Sequence, residues 1–219
     1  MLNQQTMTDA PREVVLTNLH DTQSECISEQ KRFNVVNCGR RWGKTRLGID
    51  LVVERLLTGQ PVGWFSPTYK MLEDVWRELV YILQPITEVK SEQQHRIQVI
   101  GGGVLDCWSL DAADAARGRK YSLVIVDEAA MVADLENIWN MILRPMLVDL
   151  KGAAWFLSTP KGRNGFYKLH LLGRDPESEE WKSWTYPTWK NPFIPFAEVE
   201  KLKDTMSEES YRQEILAEF

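Results

Sequence analysis

The sequence predicts an α/β fold: a mostly parallel sheet flanked by helices, with a small helical lid or linker segment at the C-terminal end. Three observations carry this. Short apolar runs alternate with amphipathic stretches along most of the chain, the pattern of strands joined by crossover helices. A glycine-rich stretch, "NCGRRWGKT" (37–45), stands between one apolar run and one helical pattern. A second apolar run, "YSLVIVDEAA" (121–130), ends in two adjacent acids.

Taken in order, residues 1 to about 16 read as a flexible or weakly helical lead. "FNVVN" (33–37) is a short buried strand, and "KTRLGIDLVVERLLTG" after it has helical spacing stopped by Gly59. "VGWFSP" reads as a second strand, and "KMLEDVWRELVYIL" as an amphipathic helix with Pro85 soon after it. "HRIQVIGGGVLDCWSL" reads as a hairpin, two alternating runs joined around Gly101, Gly102 and Gly103. "YSLVIVDEAA" is the clearest buried strand, and "AAWFLSTP" is a further one stopped by Pro160. The polar stretch "GRDPESEE" (173–180) reads as a surface loop and divides a core at 1–175 from a smaller part at 176–219. Beyond it, "WKSWTYPTWKNPFIP" is dense in aromatics and prolines, and "EVEKLKDTMSEESYRQEILAEF" is helical. The aromatic stretch suits packing of the small C-terminal part better than a base-stacking platform.

Composition narrows the function. The 219 residues suffice for one sizeable domain with an appendage. A net charge of −5 gives no bulk attraction for nucleic acid, so phosphate-backbone contact would need a local basic patch or several subunits presenting one together. Cys26, Cys38 and Cys107 are scattered, as free thiols of a reducing compartment are. No spacing of these with His20, His95 or His170 suggests zinc. The N-terminus lacks a signal-peptide pattern and no apolar run approaches a span of about 20 residues, so a cytoplasmic protein with no membrane partner is expected.

The glycine-rich stretch follows the phosphate-loop pattern G-x-x-x-x-G-K-[ST] in its second half, with Gly43, Lys44 and Thr45. Its first position falls on Cys38, with Gly39 next to it. Such a loop needs backbone N–H groups turned toward phosphates and a helix N-terminus behind them. ATP with Mg²⁺ is therefore the expected ligand, contacted by Cys38, Gly39, Arg40, Arg41, Trp42, Gly43, Lys44, Thr45 and Arg46. Lys44 would reach the β- and γ-phosphates, and Thr45 would place its hydroxyl on the metal. Asp127 and Glu128, at the C-terminal end of a buried strand, supply the second half. Asp127 is the metal-side carboxylate and Glu128 the general base for the attacking water. Ser158 and Thr159, ending the next strand, read equally well as a γ-phosphate sensor or as a strand-ending turn.

The ordered set "GRRWGKT", "WFSPTY", "ARGRKYSLVIVDEAA", "FLSTPKGRNGFYKL", "NPFI" and "YRQEILAEF" resembles the large terminase subunit of tailed double-stranded-DNA bacteriophages, from about Gln23 to Phe219. The resemblance implies a P-loop ATPase domain of the additional-strand, catalytic-glutamate type, acting as a motor that moves double-stranded DNA into a procapsid. It implies a ring of neighbouring copies, pentameric in that family, with the portal protein and small terminase subunit as partners in the cytoplasm of an infected bacterial host. A nuclease domain would follow Phe219, so DNA cleavage is not expected from these residues. Position by position, Gln23 in "LHDTQSE" matches the adenine-reading residue, and Arg40 an arginine acting on the γ-phosphate of its own subunit. Arg41 stays open between phosphate and solvent. Arg117 matches the arginine placed in a neighbour's site, with Arg119 as the alternative, and Ser158 and Thr159 match the motif coupling hydrolysis to movement. Lys44, Glu128, Arg40 and Arg117 then form the catalytic set. Cys38 departs from the small Gly or Ala usual there. The competing readings are the core of an ATP-dependent helicase or remodeller, and a nucleotide-gated scaffold that barely turns ATP over.

Overall fold

A computed structural model of the chain describes residues 12–219. Most of the lead expected at the N-terminus lies outside those residues; 12–20 carry no helix or strand. The elements then run α1 (Asp21–Ser28), β1 (Phe33–Cys38), α2 (Lys44–Leu57), β2 (Pro61–Ser66), α3 (Tyr69–Leu83), β3 (Thr87–Ser91), β4 (Arg96–Val99), β5 (Val104–Ser109) and β6 (Leu123–Asp127). After β6, α4 (Leu135–Ile138) passes through a π-type turn (Trp139–Leu143) into α5 (Arg144–Met146). The chain closes with β7 (Ala153–Ser158), α6 (Gly165–Arg174), β8 (Trp181–Tyr186), α7 (Phe196–Thr205) and α8 (Glu208–Glu214).

All eight strands form one sheet in the order β3-β4-β5-β2-β6-β7-β1-β8. From β5 to β8 the pairings are parallel. The expected hairpin is present as antiparallel β4 and β5, and β3 adds an antiparallel edge strand that the sequence reading did not anticipate. That edge is mostly exposed and carries Glu88 and Lys90, so it lacks the apolar run that marks the central strands. The loop-bearing strand β1 and the acid-bearing strand β6 do not pair; β7 lies between them. This inserted strand is the arrangement expected for the additional-strand class.

Both faces of the sheet are covered, which is why the central strands read as continuous apolar runs. Side chains alternate between faces with the period of a strand. Val36, Ile125, Trp155 and Leu157 pack with α2 and α3 on one side. Phe33, Val35, Val124, Val126 and Phe156 pack with Trp139, Leu143, Phe166 and Leu169 on the other. The sheet continues past the boundary read at 175/176, because β8 pairs with β1 through six register positions. The aromatics there serve packing: Trp184 stacks on Trp155 at 5.9 Å, and Trp181 lies over Phe156 and against Trp139. Among the described residues no helix is long and apolar enough to cross a membrane.

Trp155 is fully buried between β8 and the α2 side of the core. Its replacement by alanine should cost about 3–5 kcal/mol in urea unfolding, read as a lower midpoint at unchanged slope. A loss under about 1 kcal/mol would show that this stack does not support the sheet.

Candidate functional site

The chain leaves β1 at Cys38, turns through residues 39–43 and enters α2 at Lys44. Gly43 stands at φ +108°, a left-handed value that favours glycine, and no side chain caps the helix start behind it. The first-turn N–H groups of α2 therefore face the loop as a ready anion site.

Four successive loop carbonyls each accept a side-chain donor from elsewhere. Thr188 Oγ1 donates to Arg40 O at 2.9 Å and Asn191 Nδ2 to Arg41 O at 2.7 Å. His20 Nε2 donates to Trp42 O at 2.9 Å and Gln23 Nε2 to Gly43 O at 2.8 Å. The His20 tautomer follows from its acceptors, since Nδ1 faces donors from Gln23 N and Thr22 Oγ1. Trp42 is buried, stacked on Tyr186 at 5.4 Å and edge-on to His20 at 5.0 Å, with its indole N–H on Thr22 Oγ1. At the loop's entry, Gly39 N donates to Tyr186 O, and any Cβ at Gly39 would fall 2.4 Å from Thr188 Oγ1 and 2.6 Å from Ile215 O. Burial pushes the Cys38 thiol up to about 12, so the departing first position carries a small neutral group.

The charged half of the site lies at the ends of β6 and β7. Lys44 is buried and its Nζ donates to Thr159 Oγ1 at 2.9 Å. Asp127 is buried; desolvation first, then the neighbouring Glu128 charge, raises its carboxyl to about 7, against lowering by Lys44 and the Glu128 N–H. Glu128 adopts φ +47°, ψ +43°, left-handed backbone that costs a non-glycine residue about 1–3 kcal/mol. Ser158 Oγ accepts from Ala130 N at 3.0 Å, and its hydroxyl proton faces Thr159 O at 2.9 Å and Glu128 Oε2 at 3.4 Å. Asn164, which caps α6, donates to Ala130 O and fixes the same turn.

Thr45, Ser66, Asp127 and Glu128 line one cleft of about 320 Å³, with Asp74 and Glu78 of α3 on its wall. A larger cavity of about 770 Å³ between α7 and α8 shares none of those lining residues. Among the described residues no cluster of three or more His, Cys, Asp or Glu side chains could hold a metal. A hydroxyl and one buried carboxylate, Thr45 and Asp127, suit Mg²⁺, which keeps waters and takes its other ligands from substrate phosphates.

The structure thus brings Thr45, Asp127 and Glu128 together in one cleft, with Lys44, Ser158 and Thr159 hydrogen-bonded behind it. Other residues sit elsewhere. Gln23 is buried, and its amide is engaged within the chain, accepting from His20 N and donating to Gly43 O. Arg40 pairs with Glu214 and, with Arg41, lines a cavity beside α7 and α8. Arg46 donates to Thr17 O. Arg117 is half-exposed, paired with Asp114 and bonded to Met141 O, in a surface pocket separate from the cleft; Arg119 lies over the Trp108 ring. The sequence reading gave no role to His20, Asn191 and Glu214, although they lie in "LHDTQSE", "NPFI" and "YRQEILAEF", and it did not single out Thr188. His20 carried a further local signal, three residues before Gln23, in capping-box spacing that a histidine rarely fills.

Residues 35–219 match the family described as terminase large subunit, T4likevirus-type, N-terminal. The large terminase subunit of Escherichia phage T5 is 29% identical over 193 residues, covering 86% of this chain and 44% of that protein. The large terminase ATPase domain of Thermus phage P74-26 superposes with a TM-score of 0.76 at 24% identity, covering 92% of this chain and 94% of that one. The large terminase of a thermophilic bacteriophage, solved in complex with ATP-gamma-S, superposes at 0.71 with 16% identity over 92% of this chain and 53% of that one. The chain spans less than half the length of the curated relatives it matches. With a fold-wide match over residues 35–219, a phosphate loop at the end of β1 and an Asp-Glu pair two strands away, the chain belongs to the terminase large subunit family.

Proposed function

We propose that this chain is the ATP-hydrolysing motor part of a DNA-packaging terminase, turning over ATP to drive double-stranded DNA into a procapsid. One observation carries the chemistry: the loop lysine and the acidic pair are joined through the end of the inserted strand, Lys44 to Thr159 and Glu128 to Ser158. The ATP-gamma-S complex of a structural neighbour supports the ligand. The terminase relatives support the DNA substrate. A ring of copies, a portal and a small subunit as partners, in the host cytoplasm, belong to the same proposal.

In this reading Lys44 faces the β- and γ-phosphates, and the loop N–H groups and α2 N-terminus hold them in line. Thr45 and Asp127 would hold Mg²⁺, which would supply charge neutralisation on the phosphate oxygens. Glu128 accepts a proton from water as the water oxygen bonds to the γ-phosphorus and the bond to the β-phosphate oxygen breaks, leaving ADP and phosphate. Ser158 steadies the Glu128 carboxylate, while Lys44 exchanges Thr159 for phosphate oxygens, so the end of β7 feels the terminal phosphate. Arg117 serves a neighbouring copy, a role that its exposed position outside its own cleft supports. Residues beyond β8 act as the lid.

Glu128→Gln should lower ATP turnover about 10²–10⁴-fold while retaining nucleotide binding; turnover equal to the unaltered chain would remove Glu128 from the mechanism. Gln23→Ala should weaken ATP and GTP by the same factor, because Gln23 holds the Gly43 carbonyl. A loss confined to ATP, measured by calorimetry with both nucleotides, would support the base-reading role. Arg117→Ala subunits mixed with Glu128→Gln subunits should regain ring turnover, since each interface can combine an intact base with an intact arginine; mixtures inactive at every ratio would refute the trans role.

A further inference from the structure

Arg40 belongs to the phosphate loop, yet its guanidinium is committed to α8. Its Nε lies 2.6 Å from Glu214 Oε2, and its backbone N–H donates to Glu214 O at 2.8 Å. One residue of α8 therefore grips one loop residue twice, once through the main chain and once through charge. The seam continues on both sides: Thr188 N donates to Ile215 O while Thr188 Oγ1 holds Arg40 O. The Arg40 side chain is 74% exposed and Glu214 24%. Only the Arg40 end of the pair is open to solvent; Glu214 Oε2 is buried and makes no hydrogen bond, so the pair is held by charge alone and a better-aligned acceptor can displace it. Carboxylate and phosphate compete for the same planar guanidinium donors. Beside the seam, Arg40, Val199, Leu202 and Met206 line a cavity of about 580 Å³. The facing surfaces of α7 and the loop are therefore loosely packed, and a shift between them forfeits few contacts.

We propose that Glu214 is a latch on Arg40. It competes with the terminal phosphate of a bound nucleoside triphosphate for the guanidinium, so triphosphate binding frees α8 and loss of that phosphate re-engages it. The inference rests on the nucleotide reading above and deepens it. It gives the loop a second outlet, toward the C-terminal helices, independent of Ser158 and Thr159. Glu214 acts here as a positioning residue for Arg40, not on the reacting atoms.

Glu214→Gln removes the charge and leaves the main-chain bond to Arg40, so it isolates the competition. Fluorescence titration of the full chain with ATP-gamma-S and with ADP, for wild type, Glu214→Gln, Arg40→Ala and the double variant, reads the result. Glu214→Gln should tighten ATP-gamma-S about threefold, the size expected for a partly exposed pair, with ADP unchanged and no effect in the Arg40→Ala background. Hydrogen exchange of residues 196–214 should rise on ATP-gamma-S addition in wild type, be high throughout in Glu214→Gln, and not respond in Arg40→Ala. An unchanged ATP-gamma-S affinity, or equal shifts for both nucleotides, would overturn the latch while leaving the nucleotide site standing. Wild type that binds neither nucleotide would overturn the site itself and the latch with it. Should Glu214→Gln fail to fold, Arg40→Ala cuts the same pair from the other side; exchange in α8 no higher than wild type without nucleotide would then overturn the latch.

Discussion

The loop between β1 and α2 cannot hold its shape alone: Gly39 N and Arg40 N donate to Tyr186 O and Glu214 O, and donors from outside the loop grip its carbonyls. That constraint organises this molecule. The carbonyls of Arg40, Arg41, Trp42 and Gly43 accept from Thr188, Asn191, His20 and Gln23 in turn. Two of these donors precede the loop by about twenty residues and two follow it by about one hundred and fifty. The buried Trp42, packed between His20 and Tyr186, joins the two sets through one aromatic contact line. Gly39 follows from the same demand, since the segment carrying Thr188 and Ile215 passes where any Cβ would sit.

With the loop held, the acids can be placed against it. The inserted strand β7 sets the separation: two strand spacings of about 4.8 Å lie between β1 and β6, room for phosphate and water between lysine and carboxylates. The end of β7 then spans that gap, with Thr159 on Lys44 and Ser158 on the turn of Glu128. Asp127, buried and raised by desolvation, is costly to ionise in the protein alone. The left-handed backbone of Glu128 is a strain of the kind found where a side chain must be aimed.

Much of this was legible in the sequence, for a reason that also explains the rest. β1, β6 and β7 are buried on both faces, so they spell themselves as apolar runs, and the loop and acids follow them at fixed offsets. β3 is a mostly exposed edge carrying Glu88 and Lys90 and left no such mark. β8 was read into the C-terminal part because the polar stretch before it looked like a boundary; its pairing partner β1 lies about one hundred and fifty residues earlier. Gln23 was singled out by position, while its amide bonds to Gly43 O and to the main chain of His20 show only in three dimensions. Arg40 was read toward phosphate, while its carboxylate partner is far along the chain in α8.

The carbonyl grip has a consequence beyond rigidity. A loop held only by its neighbours in sequence would hide its ligand from the rest of the chain. Here, half of the grip comes from the segment between β8 and α7, and α8 holds Arg40 as well. Asn37, at the end of β1, donates to Ala217 O and extends the same contact past α8. Preorganising the loop therefore requires the C-terminal segment to be seated, and any shift of that segment is felt by the loop carbonyls. For the motor role proposed above, the loop and the C-terminal helices should share hydrogen bonds rather than merely touch, because directional bonds transmit a displacement that loose apolar contact would absorb. The polar seam beside an open cavity meets that requirement: stiff along the hydrogen bonds, and free to hinge where the packing is thin.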